Sequence, residues 1–309
     1  MREEAAAADV GAGRPRIPGT GARWRGIDAQ ACVRYTIERQ TTEGGFCFYA
    51  YHPWGVEEPN TPDTLAGVSI LHLLEQPMPD RERCIAWLQA QQDERGGYGT
   101  LVIGYAALKA LVRLGAAPAR DPRAFLARTA AMLGLSGAKG RAVTRDLRGV
   151  LKCVELWREH GLEPTDTVRA RTAALLERQR APDGGYGASG ASLPETAAAV
   201  ALASELDIDL DEGAVLAYVR RCEGPPYGFN VAPTAVSSDL DSQRAALWVL
   251  RRYRARPRHA ALARRFVALC QTAVGGFGRT QGAIARLDDS LRALEILSLL
   301  EESRVDAEA

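Results

Sequence analysis

The side chains in this sequence best suited to chemistry are acids standing where apolar helices begin. The densest group is Ser237-Ser238-Asp239-Leu240-Asp241-Ser242, and a second doublet is Asp288-Asp289. Asp63, Asp146 and Glu195 occupy comparable places ahead of other apolar runs. An acid in the first helical turn accepts hydrogen bonds from free N–H groups and sits at the positive end of the helix dipole. Capping explains one acid per helix. The doublets at 239/241 and 288/289 exceed that need, so they are expected to face one another in a metal or substrate site.

The elements that must carry these acids follow from a repeat. Gly44-Gly45-Phe46, Gly96-Gly97-Tyr98-Gly99, Gly184-Gly185-Tyr186-Gly187, Pro226-Tyr227-Gly228-Phe229 and Gly275-Gly276-Phe277-Gly278 recur along the chain, four of them shortly after Gln40, Gln92, Gln179 or Gln271. The steps are roughly 40–50 residues, with one double step whose midpoint follows a worn loop at 134–140, so six units are expected. Each loop leads into a nearly all-apolar helix, as in Thr196-Ala197-Ala198-Ala199-Val200, which must be buried on most faces. The intervening helices are amphipathic, with Val215, Tyr218 and Val219 on one face and Arg220 and Arg221 left for water. Six buried helices inside six amphipathic ones predict an all-α fold, a closed (α/α)6 toroid, over residues 27–302. Residues 1–26 are expected to be a disordered leader and 303–309 an acidic tail. If all inner helices run one way, Asp63, Asp146, Glu195, Asp239, Asp241, Asp288 and Asp289 form an acidic rim at one mouth.

The Gln…Gly-Gly-Phe/Tyr-Gly spacing, six times over an all-α chain, resembles the protein prenyltransferase β-subunit and squalene/terpene cyclase superfamily. That resemblance implies a central cavity holding an isoprenoid or other apolar molecule. In the cyclase branch an Asp-x-Asp-Asp motif protonates an alkene or epoxide; Asp239-Leu240-Asp241-Ser242 is similar to it, with Asp241 as the implied acid and Asp239 and Ser242 as its support. In the prenyltransferase branch the resemblance puts Asp239, Asp241 and Asp289 at the zinc-ligand positions. Three carboxylates there suit magnesium and disfavour zinc. The cations that grip a diphosphate in that branch have no counterpart in Asn230–Val236. A partner subunit is implied by the same branch. Three readings stay open: a proton-initiated cyclase, a magnesium-dependent prenyltransferase-like enzyme, and a non-catalytic toroid binding a lipid or a protein.

Composition narrows the surroundings. With 309 residues, 46% of them hydrophobic, the chain can bury a large core, and its formal charge of +1 gives no reason to expect nucleic acid. An aromatic content of 6% is low for a cavity that steers carbocations with ring faces. Of 39 basic residues only Lys109, Lys139 and Lys152 are lysines, a bias of GC-rich coding. The six cysteines are scattered, no apolar run is long enough to span a bilayer, and no secretory pattern opens the sequence, so cytoplasm is expected. Cys47 and His52, with Tyr49, Tyr51 and Trp54, lack enough nearby ligands for zinc. His72 reads as a core histidine, His160 and His259 as turn residues, and the arginines of 251–258 as a solvated turn.

Overall fold

The computed structural model describes residues 22–48, 50–51, 56–136 and 143–308. Among them twelve α-helices alternate between two concentric layers. The inner layer comprises α2 (Thr61–Leu73), α4 (Leu101–Arg113), α6 (Leu147–Glu159), α8 (Leu193–Glu205), α10 (Leu240–Arg252) and α12 (Leu287–Glu308). Each packs on the next, and α12 packs on α2, so the ring closes. The outer layer comprises α1 (Ala29–Ile37), α3 (Arg81–Ala90), α5 (Arg123–Met132), α7 (Asp166–Gln179), α9 (Glu212–Cys222) and α11 (Ala260–Cys270). None of the described helices is long and apolar enough to cross a membrane.

Local chemistry sets both ends of the inner helices. Asn60, Thr100, Asp146, Ser192 and Asp239 each accept a hydrogen bond from the N–H three residues on, which starts α2, α4, α6, α8 and α10. Those five helices are all 13 residues long. They also stop alike, in a left-handed residue (Glu75, Gly115, Gly161, Asp207, Arg254) followed by an N–H reaching back one and a half turns, as Gln76 does to Leu71. Three of those residues carry side chains, with φ near 53°, where glycine would be unstrained.

The glycine loops join the layers by a recurring bond. The backbone N–H of Phe46, Tyr186 and Phe277 donates to Thr64, Thr196 and Ser290 on the following inner helix, at 2.9, 3.0 and 2.9 Å. The glutamine before the loop spans it: Gln40, Gln92 and Gln271 donate to the carbonyls of Gly44, Gly96 and Gly275, each at 3.0 Å. Gln271 also exchanges two 2.8 Å bonds with the backbone of Asp28, tying the last unit to the first. In the fifth unit Phe229, not Tyr227, is the buried aromatic, and Gln243 holds the loop by a different bond, donating to the Tyr227 and Phe229 carbonyls. Most of the worn third loop, 137–142, lies outside the described residues.

Both ends of the chain differ from expectation. Ala22–Trp24 form a 3-10 turn packed against α12, with Trp24 and Ile27 against the core and Arg264 donating to the Arg23 carbonyl. Residues 1–21 of the expected leader lie outside the described residues. Helix α12 continues through the expected acidic tail to Glu308, because no glycine or proline interrupts it.

Glycine in these loops is required by contact as well as by φ. At Gly184 (φ 86°) a Cβ would press into the Ala214 carbonyl of α9, whereas at Gly282 (φ 79°) nothing lies within reach. Gly184→Ala is therefore expected to cost about 3 kcal/mol or more, and Gly282→Ala about 1 kcal/mol, in denaturant unfolding. Equal losses at the two positions would show that backbone conformation alone sets the requirement.

Candidate functional site

Each inner helix reaches the next through one antiparallel outer helix, so all six run in the same direction and their N-termini share one mouth. Asp63, Asp146, Glu195, Asp239, Asp241, Asp288 and Asp289 all fall in or just before the first turns there. The acids are not left to face one another. Arginines from the ring interior tie four of them, Glu195, Asp241, Asp288 and Asp289, into a belt.

Arg148 of α6 pairs with Glu195 of α8 at 3.2 Å and with Asp241 of α10 at 3.1 Å. Because α8 stands between α6 and α10 in the ring, the second contact crosses the mouth. Arg292 of α12 approaches Asp241 at 3.6 Å, Asp288 at 2.8 Å and Asp289 at 3.1 Å. Asp241 thus holds one guanidinium on each oxygen. About one turn deeper lies Arg244, paired with Glu295, and more than two turns in lies Lys109, paired with Glu155 and Glu159. Tyr105 donates its hydroxyl to Glu155 at 2.7 Å.

Asp239 and Asp241, expected to act together, point apart. Asp239 caps α10, accepting from the Ser242 N–H at 2.8 Å, and receives two Arg279 nitrogens at 3.0 and 2.8 Å. Ser242 therefore supports Asp239, not Asp241. Burial pushes the Asp239 carboxyl upward, but the bonds from Ser242 and Arg279 hold it below the usual range. Asp289 is the opposite case. Burial and the charge of Asp288 raise it, against the pull of Arg292, while Arg292 overrides burial to keep Asp288 low. Asp63 is also raised by burial, despite the 2.6 Å bond from Asn60.

Among the described residues no three histidine, cysteine, aspartate or glutamate side chains converge in a way that holds a metal ion. Asp239, Asp241 and Asp289, the expected magnesium ligands, are each engaged by guanidinium groups instead, and this donor set does not fit the three-carboxylate site. All six thiols are buried, and Cys32, Cys84, Cys153, Cys222 and Cys270 are pushed up to about 12 by burial. Tyr49, His52 and Trp54 lie outside the described residues. His72 is exposed at the end of α2 and is not the core histidine expected.

The cations were missed in the sequence. Their signal was present: Arg148, Lys152 and Glu155, then Asp241 and Arg244, then Asp288, Arg292 and Glu295, recur three or four residues apart on helices otherwise apolar. That is the stripe of a helix with one polar face turned to a wet interior.

The prenyltransferase alpha-alpha toroid domain matches the chain over residues 17–143 and 150–309. The chain belongs to that family. Membership in this toroid family supports an isoprenoid-related enzyme. No curated protein matches the chain.

The two aspartates with opposite shifts make a pair of stability tests. A lowered carboxyl contributes stability that is present above the unfolded value, near 4, and disappears as acid protonates the folded state. Asp239→Ala should cost about 1–2 kcal/mol at pH 7, and the difference from the unaltered toroid should vanish as pH falls below about 4. A raised carboxyl acts in reverse, since ionising it opposes folding above the unfolded value. Asp289→Asn should therefore leave the melting temperature at pH 7 unchanged or higher, and the gain should fade on acidification. Calorimetry across pH reads both.

Proposed function

We propose that this toroid is an isoprenoid-handling enzyme whose mouth, at the N-terminal ends of the inner helices, receives the diphosphate end of its substrate. One observation carries the reading: Arg148 and Arg292, from inner helices on different sides of the mouth, converge on Asp241. Planar guanidinium groups recognise phosphate oxygens in the geometry they use for carboxylates. A diphosphate at this position replaces Asp241 as their shared partner, with Arg244 one turn below. These cations stand in for those missing from Asn230–Val236. The hydrocarbon tail then enters the ring past Leu65, Leu151, Ala197, Ala201, Trp248 and Leu291, which are only partly covered. Ala197 and Ala201 leave room on the α8 side.

A proton-initiated cyclase remains as a second reading, favoured by the raised carboxyl of Asp289. Asp241 is poorly placed as its acid, because both of its oxygens are taken up by Arg148 and Arg292 rather than turned to a substrate. Burial and Asp288 raise the Asp289 carboxyl while Arg292 lowers that of Asp288, so the environment pushes the two apart in the sense an acid and its charged partner require. In this reading Asp289 donates the proton and Asp288 supplies charge.

Thermal shift with C10, C15 and C20 prenyl diphosphates tests the main reading. At a hundredfold excess over Kd the melting temperature should rise on the order of 5 °C, and the rise should persist in chelator. Arg148→Ala and Arg292→Ala should each weaken binding by about tenfold to a hundredfold. Absence of a shift at every chain length would sink the reading and favour a non-catalytic toroid. Turnover of an isoprenoid that survives Asp241→Asn but not Asp289→Asn would select the proton-initiated chemistry.

A further inference from the structure

The arginines of 251–258, expected to form a solvated turn, line two adjoining cavities at the end of the ring opposite the mouth. An inner helix of 13 residues puts that end about 20 Å from the acidic belt. One cavity, of about 410 Å³, lies between the turn after α10 and the end of α12. Its lining includes Arg251, Arg254 and Arg256, and no acid. The other, of about 450 Å³, lies between the ends of α8 and α10 and the turn into α9. Arg254 borders both. Two other cations at this end are answered by a carboxylate of the adjoining inner helix: Arg158 reaches Glu205 at 3.0 Å, and Arg251 reaches Glu302 at 2.6 Å. Arg252 instead donates to the neutral hydroxyl of Ser204, at 3.1 Å, and Arg254 makes no ion pair among the described residues. Arg254 also holds φ at 52°, where Gly115 and Gly161 follow the equivalent helices, so a side chain is carried between the cavities on a strained backbone position.

Guanidinium groups suit phosphate, which they grip through paired N–H bonds. The larger cavity adds a second kind of group. From the turn into α9 it is lined by Asp209 and Glu212, exposed carboxylates that hold no ion pair among the described residues. Ionised carboxylates only accept hydrogen bonds, so they call for hydroxyl or amine donors. Beside them Tyr253, Ile208 and Leu210 are partly buried and give the cavity an apolar side. Arg252 and Arg254 offset the two acids, so this cavity does not repel an anion. Either volume falls within the roughly 300–1,000 Å³ of small-ligand sites. We propose that the two cavities form one binding site for a phosphorylated small molecule whose far end carries hydroxyl or amine donors, a sugar phosphate or a nucleotide. The phosphate lies among Arg251, Arg254 and Arg256, and the donors reach Asp209 and Glu212. The proposal does not rest on the diphosphate reading, since it asks nothing of the belt at the mouth.

Calorimetric titration of the full chain with AMP, ribose 5-phosphate, adenosine and inorganic phosphate decides it. AMP or ribose 5-phosphate should bind at least about tenfold more tightly than inorganic phosphate, and adenosine at least about tenfold more weakly than AMP. Whichever phosphoester binds more tightly identifies the class of ligand. Arg254→Gly suits a backbone at φ 52°, so the variant should fold, yet its affinity for the phosphoester should fall about tenfold or more. Asp209→Asn combined with Glu212→Gln should weaken the phosphoester and leave inorganic phosphate unchanged. Arg148→Ala, at the mouth, should leave phosphoester binding intact. Four results would each overturn the proposal: no binding of any probe, inorganic phosphate binding as tightly as both esters, adenosine binding as tightly as AMP, or binding lost with Arg148→Ala but kept with Arg254→Gly.

Discussion

The toroid depends on one small bond made repeatedly, the N–H of a loop aromatic given to a hydroxyl on the first turn of the next inner helix. Thr64, Thr196 and Ser290 each accept that N–H and donate their own hydroxyl to the carbonyl four residues back, at 2.7 Å. A buried backbone N–H left without a partner is costly, so the loop has one low-energy seat. The aromatic ring is then pressed close to the inner helix. Gly67 shows how close, since a Cβ there would stand 2.6 Å from the Phe46 ring. Glycine on both sides of the contact is thus a matter of clearance.

Three loops are seated in this way and a fourth is held by Gln243, and the inner helices they lead into run parallel, with electrostatic consequences. Their positive ends gather at one mouth, where carboxylates are favoured. Seven acids gather there, and interior arginines answer four of them, Glu195, Asp241, Asp288 and Asp289, while Arg279 of the last loop holds Asp239. Arg292 serves three carboxylates and Arg148 two. The site is therefore an ion-pair network in which each charge depends on the others. An anionic ligand enters such a network only by displacing a carboxylate already bound, and the displaced Asp241 must then be protonated or reached by water. The polar stripe deeper in the ring extends the same logic, with Arg244 on Glu295 and Lys109 on Glu155 and Glu159.

The repeats and the six inner helices were legible before any coordinates, although the end of α12 at Glu308 was not. Glycine, glutamine and cap residues act within a few positions of themselves, and alanine-rich runs can only be buried. The pairing of Asp239 with Asp241 was misleading for an equally local reason. Asp239 is the cap and Asp241 lies two residues on, so their side chains leave the helix about 200° apart. One turns out to Arg279 and the other into the ring. The fifth loop was shifted because Tyr227 and Phe229 are both aromatic, and only burial distinguishes the anchor.

By itself, then, the amino-acid order determined the closed toroid and the mouth where acids collect, since both arise from short-range caps, turns and apolar periodicity repeated six times. Tertiary structure alone decided the charge state of that mouth. Arg148 and Asp241 are 93 residues apart and sit on helices that are not neighbours, so their meeting depends on how far each helix is rotated about its axis when the ring closes. Spacing along the chain carries helical phase, but it carries no information about which charge waits on the opposite wall.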